Sequence, residues 1–170
     1  MSNITHKLNN CNLTVETCIF QLVKIALKRR ASAIAVRFDY KQRKIQVVDN
    51  SYGYTKSELA SIFNKKNEES EQHIFVKIRC TSNAVIVTSK HELSSHTYVK
   101  VANKSRDKFI QGYDRPSKGT TVTVYDYSSS SWIESDKNYT IAYVLAALAF
   151  IELEVILLLF LDMKDFVKYL

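Results

Sequence analysis

The chain has 170 residues, about enough for one domain, and 46% of them are hydrophobic, ample for a core. Its three glycines and one proline argue against a loop-rich or disordered protein. The formal net charge of +7 fits a polyanionic partner such as DNA or a solvated basic face, with basic residues gathered at 24–30, 37–44, 65–66 and 100–108.

The first predicted element is a helix, capped by Asn12 or Thr14 and running to about Arg30. Its apolar positions Val15, Cys18, Ile19, Leu22, Val23, Ala26 and Leu27 form one stripe at i, i+3, i+4, i+7, suited to packing on a sheet. Residues 33–40 alternate through Ile34, Val36 and Phe38 as a strand. A polar hairpin turn at 41–43 leads to a second strand at 44–48. Residues 57–63 read as a short helix and 64–72 as a polar, charged loop. Further strands are predicted at 73–80, 84–89, 97–102 and 120–127, with a loop at 106–118 that contains Gly112 and Pro116. A serine run at 128–131 is flexible by composition.

The strongly apolar run 141–161 is long enough to span a bilayer. Glu152 and Glu154 lie in its middle, however, and each carboxylate costs about 2.5–3.5 kcal/mol at a bilayer centre. The run therefore reads as two buried elements, a helix at 141–150 and a β-core segment at 154–161, and no membrane partner is expected. The order of helix, hairpin, short helix, strands, helix and strand predicts an α/β (α+β) two-layer sandwich. Its sheet is mixed, with helices on one face. Cys11, Cys18 and Cys80 have no metal-type spacing and read as reduced thiols. The four histidines are scattered without ligand spacing.

The most informative segment is Asp49-Asn50-Ser51-Tyr52-Gly53-Tyr54, which follows a strand and precedes a helix start. A strand ending in Asp-Asn-x-x-Gly resembles the nucleotide-gripping turn of the GHKL ATPases, which include gyrase B, histidine kinases and MutL. Four blocks in order resemble the MutL branch, and most of all its meiotic type: 18–37, 45–59, Arg115-Pro116-Ser117-Lys118-Gly119-Thr120-Thr121-Val122-Thr123-Val124-Tyr125, and 144–160. The resemblance implies a GHKL (Bergerat-type) fold in which Asp49 receives a hydrogen bond from the adenine amino group. It implies that Gly53 lets the backbone approach the base, and that Asn50, Thr120 and Thr121 belong to the nucleotide pocket. The plain alternative is a turn in which Asp49 accepts backbone hydrogen bonds, with Thr120 and Thr121 as ordinary strand residues.

Departures from the family pattern carry the functional reading. The position of the family's general-base Glu is Gln21, whose amide cannot act as a base. The position of its magnesium-ligating Asn is Ile25, which offers a hard cation no oxygen. The Asp one turn later is Lys28, so a helix face at i, i+4, i+7 reads Gln, Ile, Lys. No catalytic residue and no metal ligand is therefore expected. The phosphate-closing lid looks shortened and replaced at about 64–77, and a single domain over 1–170 is expected without the family's second domain.

The resemblance thus implies a degenerate MutL-like subunit, a pseudo-ATPase scaffold of mismatch repair or meiotic recombination. It would hold ATP weakly and give Mg²⁺ little support. It would sit in the nucleus, paired with another MutL homologue, with DNA met through unspecified basic residues. Alternatives are a slow partner-dependent ATPase, a DNA-binding module, or a relative of the B subunit of topoisomerase VI.

Overall fold

The structure, a computed structural model, describes residues 13–39, 41–64, 70–112 and 115–127, and the backbone of Ile156–Phe160. In chain order the elements are α1 (Val15–Lys28), β1 (Ala33–Asp39), β2 (Lys44–Asp49), α2 (Lys56–Ala60) and α3 (Glu71–Thr81). Then follow β3 (Ala84–Lys90), β4 (Thr97–Asn103), β5 (Asp107–Gln111), β6 (Gly119–Tyr125) and β7 (Ile156–Phe160). The strands form one seven-stranded sheet in the order β5-β4-β3-β6-β2-β1-β7. All neighbours are antiparallel except β1 and β7, which are parallel, so the sheet is mixed as expected.

The alternation of each strand sends one set of side chains toward the helices. Register places Val36 opposite Val47, Val47 opposite Val122 and Val122 opposite Val87, a valine row across four strands. All four are buried, and each contributes roughly 1.5–3 kcal/mol of hydrophobic stabilisation. Helix α1 lies on this row through Val15, Cys18, Ile19, Leu22, Val23, Ile25 and Ala26. Its N-cap is Thr14, whose hydroxyl accepts from the Thr17 amide. Helix α2 begins with a capping box in which Thr55 and Glu58 satisfy each other's backbone N–H groups. The core closes with Leu59, Ile62, Phe63, Phe75 and Ile78.

Two expectations are corrected. Residues 73–80 are not a strand but most of α3, capped by Ser70. The segment is rich in β-branched and apolar side chains, but only Phe75, Ile78 and Thr81 are buried, at a spacing of three. Packing on one side overrides local strand propensity. The predicted loop 106–118 contains β5, an edge strand with only Phe109 partly covered, so no alternation marks it. The expected helix at 141–150, the lysines at 65–66 and most of the charged loop at 64–72 lie outside the described residues. Among the described residues no helix is long and apolar enough to cross a membrane.

Candidate functional site

The turn after β2 is held between three elements. Asp49 ends β2 beside the start of β6, and its Oδ1 accepts from the amides of Ser51 at 2.9 Å and Thr120 at 3.0 Å. The side chain is buried, which raises its carboxyl above the usual range. The Ser51 and Thr120 hydrogen bonds and the nearby Arg115 guanidinium oppose that rise without cancelling it. Asn50 turns the other way. Its Oδ1 accepts from the amides of Ser32 and Ala33, both at 2.9 Å, and so fixes the loop between α1 and β1. Ser51 Oγ accepts from the Gly53 amide, and the Tyr54 amide donates to Ser89 Oγ at 2.7 Å. The Ser89 and Thr120 hydroxyls lie 3.2 Å apart.

Two glycines make this closeness possible. Gly53 has φ +70°, and a Cβ there would lie 2.2 Å from the Lys90 carbonyl oxygen. Gly119 has φ +123°, and its Cβ would lie 2.1 Å from the Asp49 carbonyl oxygen. Gly53 thus lets the turn approach β3, and Gly119 lets β6 approach β2.

The two threonines separate. Thr120 is buried on the helix side with Asp49, whereas Thr121 pairs in register with Val48 on the opposite sheet face. A period of two cannot place adjacent residues in one pocket. The α1 positions also diverge. Ile25 is buried against Asp49, Gln21 is half-buried and Lys28 is exposed in the last turn.

Beside Asp49 and Thr120 lies a cavity of about 10 Å³, walled by Ile25, Arg29, Tyr54 and Phe75 among others. That is room for roughly one water. Tyr54 and Phe63 both meet Phe75 edge to face at 6.2 Å between ring centroids.

Sequence reasoning missed two arginines. Arg29 lies 3.7 Å over the Tyr54 ring and pairs with Glu58 at 2.9 Å and Glu71 at 3.3 Å. The Tyr54 hydroxyl donates to the same Glu71 oxygen at 3.0 Å. Burial, and then the Glu71 charge, hold the Tyr54 hydroxyl well above its ordinary range. Burial pushes the Glu58 carboxyl upward, but hydrogen bonds from Thr55 and the Arg29 charge outweigh it and leave the group low. A second cleft of about 240 Å³ opens beside this cluster, between Arg29, Glu58 and Glu71. Arg115 donates from Nη2 to the Asp49 carbonyl at 3.2 Å, and its own amide donates to Thr97 Oγ1 at 2.7 Å. Nothing in the linear pattern around Arg29 announces a partner 42 residues away. Arg115 was legible only as the head of the block that continues to Tyr125.

The basic clusters are also redistributed. Lys24, Lys28, Arg30 and Arg37 are exposed, whereas Lys100 is buried and paired with Asp107 at 2.7 Å. Among the described residues no three His, Cys, Asp or Glu side chains are grouped to hold a metal.

No protein-family model matches the chain, and no curated protein matches it. Among solved structures, the chain is similar to the MutL ATPase domain of Aquifex aeolicus, determined in complex with ADP. The TM-score is 0.64 at 17% identity, over 86% of this chain and 59% of that one. The chain thus spans less than two thirds of that relative's length. With its two-layer α+β sandwich, mixed sheet and Asp49 turn, the chain has the MutL-type GHKL fold.

Proposed function

We propose that this chain is a MutL-like scaffold that does not hydrolyse ATP, its nucleotide position filled by its own side chains. The carrying observation is the 10 Å³ cavity beside Asp49 and Thr120, with Ile25 in its wall. A hydrocarbon there gives a magnesium ion no ligand, and the residues present do not fit that metal. Adenine does not fit the cavity as it stands, because the space holds roughly one water and Arg29, Tyr54 and Phe75 stand in its wall. The Asp49 carboxylate and Thr120 remain as the recognition pair. The Aquifex aeolicus neighbour is complexed with ADP, which supports an adenine nucleotide as the ligand class. Binding then requires displacement of these wall side chains and is correspondingly weak.

In this reading the shortened lid is replaced in part by α3, whose Phe75 occupies the interior. The resemblance to the meiotic MutL type supports a place in mismatch repair or meiotic recombination. It likewise supports a nuclear location and pairing with another MutL homologue. The exposed cations Lys24, Lys28, Arg30 and Arg37 support DNA contact, with affinity falling steeply as salt rises.

The test is a thermal-shift titration with ADP and ATP, with and without Mg²⁺, beside a phosphate-release assay. A ligand that binds only the native state raises Tm. The expected result is a small shift independent of Mg²⁺ and no turnover. Mg²⁺-dependent hydrolysis abolished by Asp49→Ala would overturn the proposal in favour of a slow ATPase.

A further inference from the structure

Strand β5 ends the sheet, and among the described residues no strand lies on its outer side. The β4–β5 hairpin sets which of its peptide groups point outward. The Asn103 amide donates to the Arg106 carbonyl, and the Gly112 amide to the Thr97 carbonyl, both at 2.9 Å. Arg106, Lys108, Ile110 and Gly112 therefore turn their backbone groups toward β4. Asp107, Phe109 and Gln111 turn theirs away from it, at every second residue.

This edge is rigid. Asn103 Oδ1 accepts from the amides of Ser105 at 3.0 Å and Arg106 at 2.8 Å, which locks the turn. Phe109 stacks on Tyr98 with centroids 5.6 Å apart. Asp107 is held inward by Lys100 at 2.7 Å and Arg79 at 3.3 Å. The acid of this strand is thus already neutralised, while Lys104, Arg106 and Lys108 are exposed and Ile110 is 38% exposed. The edge presents backbone donors and acceptors, three cations and one apolar side chain.

We propose that β5 receives an extended acidic segment of a partner protein as an added strand. Its backbone pairs with Asp107, Phe109 and Gln111, its carboxylates lie against Arg106 and Lys108, and an apolar residue covers Ile110. A second copy of this chain is disfavoured, because edge-to-edge pairing would gather the cations of both strands. The proposal does not depend on the nucleotide reading, since β5 lies four strands from β2, which carries Asp49.

The test is fluorescence anisotropy of the full chain with a labelled peptide of about eight residues that carries glutamate, glutamate and valine at every second position, and so on one face, with threonine between them, a length matched to strand addition. Comparators are the same peptide N-methylated at alternate residues and the same peptide with lysine in place of glutamate. Binding of the glutamate peptide is expected, weakened roughly tenfold by N-methylation, which removes main-chain hydrogen bonds. Lys108→Glu, at an exposed position, is expected to weaken it roughly fivefold, the scale of a cross-strand charge pair. Equal binding of the N-methylated peptide would overturn strand pairing. Equal binding of the lysine peptide, or no binding at about 1 mM, would overturn the acidic partner and leave the cations as protection of the edge. A dimer in sedimentation that Gln111→Pro abolishes, by removing an outward N–H of the edge, would replace the partner segment with a second copy.

Discussion

Phe75→Ala tests the interior plug most directly. The side chain is fully buried and contributes to the wall of the cavity beside Asp49. Truncating a buried Phe to Ala costs about 3–5 kcal/mol. Here the ring also makes edge-to-face contacts with Tyr54 and Phe63, each worth roughly 0.5–1.5 kcal/mol, so the loss should fall at the upper end, about 4–5 kcal/mol. Against a typical domain stability of about 5–15 kcal/mol, the variant remains foldable in the cold. Urea unfolding followed by circular dichroism gives the change in stability, and an ADP titration of Tm gives the change in binding. If Phe75 fills the nucleotide position, the variant gains a larger ADP-induced rise in Tm than the wild type while losing about 4 kcal/mol of stability. A loss below about 1.5 kcal/mol would refute the packing argument. An unchanged ADP response in a folded variant would refute the plug.

Three further outcomes are expected. Gly53→Ala loses more than about 3 kcal/mol in urea unfolding, since the left-handed conformation alone costs roughly 1–2 kcal/mol and the Cβ would strike the Lys90 carbonyl. A near-neutral result would mean that the turn is free to move away from β3. Asp49→Asn stabilises the protein at neutral pH relative to wild type. Burial raises the Asp49 carboxyl in the folded state, so its contribution is fully present below its unfolded value, about pH 4, and is lost as pH rises through the higher folded value. The gap between variant and wild type, read from Tm, therefore widens from acid to neutral pH, and a constant gap would sink the assignment. Thr55→Ala removes the cap of α2 and costs about 1 kcal/mol, measurable by urea unfolding, with Thr55→Ser restoring most of it.

The sequence by itself determined the parts of this protein that depend on local periodicity. The stripe from Val15 to Ala26 could only be one face of a helix, and the alternations through Val36 and Val47 could only be half-buried strands. The Asp49 turn was legible because a short acidic side chain and a glycine are needed where the backbone must reverse tightly. The meeting of Asp49 with Thr120, 71 residues apart, followed from the resemblance and not from spacing. Tertiary structure alone decided the rest. It made 71–81 a helix, because burial of Phe75 and Ile78 on one side outweighed the strand preference of the segment. It made β5 a strand, because backbone pairing with β4 needs no hydrophobic pattern. It separated Thr120 from Thr121, sent Asn50 to the α1–β1 loop and buried Lys100 against Asp107. It also brought Arg29 to Glu58 and Glu71, a convergence of three elements that only long-range packing creates. Contacts between distant residues leave no period in the chain, so their chemistry becomes visible only once the core has placed them side by side.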